Sequence, residues 1–222
     1  MKLAILTRRR FLTHPMTKPY SCNQLSEHAW LIFYSDKIEL QLALKLDALV
    51  ASATNPLVEW VAGDDSLMLV TNVSVDTSWV ENVVTSLITA GGEQAVKQHT
   101  IGVRFNGPDR EAVARFHNLD VDSYISRFCA DSYTVGFMGF APGFGYLKGG
   151  SWTNVPRKDE PRSRMQQGAV AVAAGYACIY PVASPGGWNW IGETDSCLFD
   201  PSPEQDNPFL FTPFDQVTFI AL

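Results

Sequence analysis

The chain contains no run approaching the roughly 20 consecutive apolar residues that a membrane span requires. It also has no C-x-x-C pair. Its four cysteines, Cys22, Cys129, Cys178 and Cys197, lie far apart, which excludes a zinc-ribbon spacing and a dense disulfide framework and reads as reduced, cytosolic thiols. His14, His28, His99 and His117 show no metal-ligand spacing either. Basic charge is scarce: 17 Lys and Arg face 23 Asp and Glu, a net charge of −6 that removes the electrostatic footprint of nucleic-acid or anionic-lipid binding. The opening KLAILTRRRFLTH lacks the long apolar segment and small-residue cleavage site of a secretory signal. No serine stands in a G-x-S-x-G elbow, and neither G-x-x-x-x-G-K-[ST] nor a Rossmann fingerprint occurs. What remains is a composition of 46% hydrophobic and 18% charged residues, which suits a globular protein that meets proteins or small molecules.

Glycine is nearly absent from the first 90 residues, where only Gly63 occurs, while the rest of the chain carries the other fifteen. That shift predicts two architectures. Residues 1–22, with Pro15 and Pro19, read as a loose extension. Residues 23–94 then give a strand at AWLIFYS, a helix at 38–50 with Ile38, Leu42, Leu46 and Leu49 on one face, and two strands flanking Gly63-Asp64-Asp65. A second helix follows, capped by Asp76, with Val80, Val83, Val84, Leu87 and Ile88 at amphipathic spacing. The order strand, helix, strand, strand, helix predicts an α+β, ferredoxin-like split βαβ domain.

Gly91-Gly92 ends that helix and marks a boundary near residue 95. Beyond it HTIGVRF reads as a strand, and two short helices follow, capped by Asp109 and Asp120. From Tyr133 onward, short apolar runs separated by glycine and proline predict a mostly-β barrel or sandwich over residues 95–222.

Three stretches in this second half are chemically distinctive. VGFMGFAPGFGYLKGG, residues 135–150, holds six glycines beside Phe140, Phe144 and Tyr146. Such glycines permit positive φ and close approach, and their amides can form an anion-holding nest; the plain alternative is a packed crossover loop plugged by aromatics. VPRKDEPRSR repeats Pro-Arg at Pro156-Arg157 and Pro161-Arg162, offering guanidinium forks for a carboxylate or phosphate, or else a solvated loop. Ser184-Pro185-Gly186-Gly187 is a tight turn that delivers Trp188 into a strand.

Taken in this order, GFMGFAPGFGYLKG, the paired PR-x-x-x-PR and IYPVASPGGW resemble the allophanate hydrolase subunit 1 family, which includes the B subunit of 5-oxoprolinase and the KipI kinase inhibitors. The resemblance implies a cyclophilin-like barrel for the second domain. It implies a role in ATP-dependent opening of 5-oxoproline to glutamate, with ATP as co-substrate together with magnesium. The partners it implies are a homologue of the C-type subunit, which is allophanate hydrolase subunit 2, and a homologue of the separate A-type subunit. The candidate catalytic residues it implies are Arg162, Arg157 and Cys129, the last standing where the family usually has a histidine. The implied binding residues are Gly139, Phe140, Pro142, Gly143, Tyr146, Ser184, Pro185, Gly186, Gly187 and Trp188. Two other functions fit the same family: a non-catalytic inhibitor of a sensor histidine kinase, and a urea- or allophanate-type carboxyltransferase component. Tyr176-Ala177-Cys178 and Glu193 depart from the family's polar pattern.

Overall fold

The computed structural model describes residues 20–34, 39–89, 96–202 and 207–222. By internal contacts the chain divides into two compact units, residues 1–61 with 65–92, and residues 62–64 with 93–222.

The first unit contains β1 (Tyr20–Ser26), β2 (Ala29–Tyr34), α1 (Glu39–Val50), β3 (Leu57–Ala62), β4 (Ser66–Thr71) and α2 (Thr77–Thr89). Its sheet runs β1-β2-β4-β3, so β4 inserts between the two strands that α1 joins. The α2 start follows from capping chemistry: the Asp76 carboxylate accepts the Trp79 amide at 2.8 Å. The helix then buries Val80, Val83, Val84 and Leu87 against Ile32, Leu46 and Leu69. One element departs from expectation. Residues 20–22, placed by sequence in the loose extension, begin β1, which pairs antiparallel with β2 from Tyr20↔Tyr34 onward. Residues 1–19, Ile38, the Gly91-Gly92 stop and the boundary near residue 95 lie outside the described residues, as do the side chains of Leu42 and Ile88.

The second unit contains β5 (Gln98–Val103), α3 (Arg110–Phe116), α4 (Val121–Ala130), β6 (Ser132–Met138), β7 (Gly145–Lys148), β8 (Arg162–Met165), β9 (Ala169–Ala173), β10 (Tyr176–Ile179), β11 (Ser184–Gly186), β12 (Asn189–Glu193) and β13 (Gln216–Ala221). Seven of these strands form one sheet in the order β12-β9-β10-β7-β6-β13-β5. At its two edges Arg104 and Glu193 exchange both backbone hydrogen bonds, at 2.9 Å each, so the sheet is a nearly closed barrel with few helices. Closure removes edge strands that would otherwise pair with other chains.

The period of two along β9 divides the interior of this unit. Val170 and Val172 enter a core shared with Tyr124, Phe128, Tyr133 and Phe219. Ala169, Ala171 and Ala173 face a second cluster with Phe144, Met165, Cys178, Tyr180 and Trp188. Alanine on that face leaves room for large rings, and those rings build the site. In the first core the Phe128 ring lies 5.0 Å from Phe219 and 5.2 Å from Tyr133, contacts worth about 0.5–1.5 kcal/mol each beyond their buried area.

The two caps expected for α3 and α4 behave differently. Asp120 accepts the Ser123 amide at 2.7 Å and caps α4. Asp109 occupies the capping position of α3, but its side chain makes no cap hydrogen bond. It turns toward the loop that carries the paired arginines.

Candidate functional site

The three distinctive stretches meet on the Ala face of β9. The loop between β6 and β7 folds on itself: Gly139 N–H donates to Phe144 O at 3.1 Å, Ala141 N–H to Gly139 O at 2.8 Å, and Phe144 N–H to Ala141 O at 3.0 Å. Those three amides are therefore spent inside the turn. Gly143 has φ +81°, and a Cβ there would meet Leu198 O at 2.9 Å, so the glycine answers to the turn and to a neighbouring strand of chain. The stretch contributes aromatic walls: Phe144 lies 5.3 Å from Tyr180 and 5.0 Å from Tyr146, and Tyr146 lies 5.8 Å from Trp188, all in edge-type geometry.

The Pro-Arg stretch reaches the same place through pairing. β8 and β11 form a two-stranded ladder with Gly186 opposite Arg162. Gly186 is fixed by close approach, since a Cβ there would sit 2.3 Å from the Tyr180 hydroxyl oxygen. The loop leading into β8 is tied from the other side: the Lys158 amide donates to Gly187 O at 2.8 Å, and the Asn189 side-chain amide donates to Pro156 O at 2.9 Å.

Between these elements lies a concavity of about 100 Å³, lined by Phe140, Phe144, Tyr146, Arg157, Tyr180, Pro185, Gly186, Gly187 and Trp188. Among the described residues Arg157 is its one cation, and no carboxylate lines it. Burial pushes the Tyr146 and Tyr180 hydroxyls above the ordinary phenol range, against the opposing pull of Arg157, so both remain protonated donors at neutral pH. Phe140, 62% exposed at the mouth, adopts φ +67°, a left-handed conformation that costs a non-glycine residue about 1–2 kcal/mol. Strain of that kind concentrates at ligand sites. Trp188 is buried and is part of the lining.

Thus of the sequence-predicted residues, the structure brings together Arg157, Phe140, Tyr146, Pro185, Gly186, Gly187 and Trp188. It does not bring Gly139, Pro142, Gly143 or Ser184 to the lining, although all four shape the segments behind it. Ser184 keeps its hydroxyl buried without a hydrogen-bond partner.

Arg162 does not reach the concavity. Its guanidinium grips Asp109 with two hydrogen bonds, at 2.7 and 2.9 Å. Lys158 Nζ adds a third at 3.0 Å and the Trp190 amide a fourth at 2.8 Å. Burial pushes the Asp109 carboxyl up, but the bonds from Arg162, Lys158 and Trp190 outweigh it and hold the group below the ordinary carboxylate range. Local reading of the sequence missed this acid, because a capping rule accounts for an aspartate before a helix and says nothing of an arginine 53 residues away.

Cys129 lies on α4, partly buried against the first core, and burial raises its thiol above the ordinary range. Phe144 and Tyr180 were not among the binding residues expected from sequence, and both line the concavity. The alternation of glycine and aromatic residues along GFGY was the available signal for Phe144, and the ring before Pro181 in IYP was that for Tyr180. Glu193 turns toward Asn106, next to the exposed Arg104–Asp195 pair, and is not part of the lining. Among the described residues no group of three or more His, Cys, Asp or Glu side chains is arranged to hold a metal ion, and no helix is long and apolar enough to cross a membrane.

The sequence matches the family described as carboxyltransferase domain, subdomain C and D, over residues 20–211. It is 39% identical over 117 residues to the B subunit of 5-oxoprolinase from Escherichia coli O157:H7, a span of 51% of this chain and 52% of that protein. It is 40% identical over 62 residues to urea amidolyase of Lachancea kluyveri, 26% of this chain and 3% of that protein. Among solved structures, TTHA0988 superposes with a TM-score of 0.71 at 28% identity, covering 87% of this chain and 40% of that one. The chain spans about half the length of the 5-oxoprolinase relatives it matches. With the matched span running through most of its length, the chain belongs to the carboxyltransferase domain family, subdomains C and D, alongside the B subunit of 5-oxoprolinase.

Proposed function

We propose that this chain is the B-type component of an ATP-dependent 5-oxoprolinase, working in the cytoplasm with a homologue of the C-type subunit and receiving the ATP-dependent step with a homologue of the A-type subunit. The observation that carries the reading is the aromatic concavity with Arg157 as its charged group, in a chain whose relatives are named as the B subunit of 5-oxoprolinase.

The substrate's chemistry fits such a concavity. 5-Oxoproline is a small, compact ring bearing one carboxylate, and a guanidinium with no competing acid matches that anion. Aromatic walls cover the ring's apolar edges and exclude water. The lactam carbonyl is a poor electrophile at neutral pH. ATP, which would be bound with magnesium, would phosphorylate that oxygen and leave as ADP, opening the carbon to attack by water; the carbon–nitrogen bond then breaks with the nitrogen taking a proton, and hydrolysis of the resulting acyl phosphate releases inorganic phosphate and glutamate. Hydrogen-bond donors aimed at the developing charge assist that step, and the protonated hydroxyls of Tyr146 and Tyr180 are the donors this chain offers. In this reading Arg157 binds, while Arg162 and Cys129 hold structure.

The test is turnover by the assembled complex. The chain co-purified with a C-type homologue, with the A-type homologue added, is expected to form glutamate from 5-oxoproline and ADP from ATP. Absence of both products from a complex shown to assemble contradicts the reading. A second reading, a urea- or allophanate-type carboxyl-transfer component supplied with biotin by another protein, draws on the urea amidolyase similarity. It predicts turnover with urea or allophanate and none with 5-oxoproline.

A further inference from the structure

We infer that Asp109 is a positioning residue, the anchor that holds the Pro156–Arg162 loop so that Arg157 faces the concavity; the inference rests on the reading above only in taking that concavity as the ligand site. Two of the loop's cations, one residue and five residues after Arg157, end on this single carboxylate, at 3.0 Å for Lys158 and at 2.7 and 2.9 Å for Arg162. The residue is itself fixed at two points to β12, because Trp190 donates its amide to the Asp109 carboxylate at 2.8 Å and Asp109 donates its amide to Trp190 O at 3.0 Å. The side chain of Asp109 is only 7% exposed, so it cannot turn to solvent without abandoning its partners.

The consequence for Arg157 is mechanical. With Lys158 and Arg162 pinned, Pro156 O held by Asn189 and the Lys158 amide held by Gly187, the loop has few freedoms left. Arg157 itself is exposed and pairs with no carboxylate among the described residues, so its aim is inherited from the loop. A cation held in place before the ligand arrives binds more tightly than one that must be ordered on binding. The repeat of Pro-Arg thus divides its labour: the first arginine meets ligand, and the second fastens the loop to an acid far away in sequence.

Hydrogen exchange of the full chain, read peptide by peptide, tests this in Asp109→Asn and, where that variant folds poorly, in Lys158→Met, which leaves the Asp109–Arg162 pair intact. Peptides covering Pro156–Arg162 are expected to exchange about tenfold faster in Asp109→Asn and a few-fold faster in Lys158→Met, with β9 and β10 unchanged. Calorimetry with 5-oxo-L-proline on the chain co-purified with a C-type homologue supplies the second arm. Asp109→Asn is expected to weaken binding about 10- to 100-fold, and to cause no further loss when Arg157→Ala is already present. Unchanged exchange in the loop overturns the inference, as does acceleration spread equally through β9 and β10, or losses that add in the double variant. If the unmutated complex does not bind 5-oxo-L-proline, the substrate reading falls and the exchange comparison alone decides the role of Asp109.

Discussion

Arg157 and Arg162 follow prolines in the same short loop and look equivalent in sequence, yet they come to rest in opposite surroundings. Arg157 stands at an aromatic concavity without an acid in its lining. Arg162 is locked by two hydrogen bonds to a buried carboxylate. The difference is imposed from a distance: Asp109 takes up Arg162 together with Lys158, while Arg157 pairs with no carboxylate among the described residues. A residue's chemistry is assigned by its partners, and a local motif names only the candidates.

The comparison breaks most directly through stability. Arg162→Ala leaves the buried Asp109 with Lys158 as its remaining charged partner, and removal of one partner from a buried ion pair costs about 3 kcal/mol. Arg157→Ala is expected to change stability by less than about 0.5 kcal/mol while removing the proposed anion contact. Urea unfolding of the two variants measures that contrast. Similar losses for both would erase the proposed division of roles.

Acid sharpens it. Because the Asp109 carboxyl is held below its unfolded value, the unfolded chain binds more protons in the window between the two, so its stabilisation is complete above about pH 4 and is lost as pH falls through the lower, folded value. Asp109→Asn removes this component. Its stability should fall less steeply below about pH 4 than that of the natural chain, as read from denaturation midpoints across pH.

Smaller effects separate wall from scaffold. Phe140→Asn keeps a residue that tolerates positive φ and removes an exposed ring, so stability should hold within about 0.5 kcal/mol while ligand affinity drops several-fold. Calorimetry and thermal unfolding on the same preparation distinguish the two quantities. Cys129→Ala is expected to be the mildest, with turnover of the assembled complex within about twofold, because a partly buried thiol with a raised pKa behaves as a small apolar group. A large loss would return Cys129 to the chemistry.

Much of this architecture was legible in the sequence where the signal is local. Asp76 and the spacing of Val80, Val83, Val84 and Leu87 define α2 because capping and a 3.6-residue period are properties of one segment. The Gly63-Asp64-Asp65 turn lies between β3 and β4 for the same reason. β1 was hidden because Tyr20 is its one buried residue, which leaves no alternating pattern to read. In the glycine-rich stretch, spacing showed that the backbone needed freedom, but not what that freedom served. Gly143 serves a turn beside Leu198, and the neighbouring rings serve the concavity. Asp109 was legible as a helix cap and illegible as an anchor, since its partners come from residues 158, 162 and 190.

The central claim is that the aromatic concavity takes an anionic ligand through Arg157. Titration calorimetry of 5-oxo-L-proline into the chain co-purified with a C-type homologue, natural against Arg157→Ala, tests it most directly. The account predicts measurable binding to the natural complex and a loss of at least about tenfold in the variant. Equal affinity in both would contradict it.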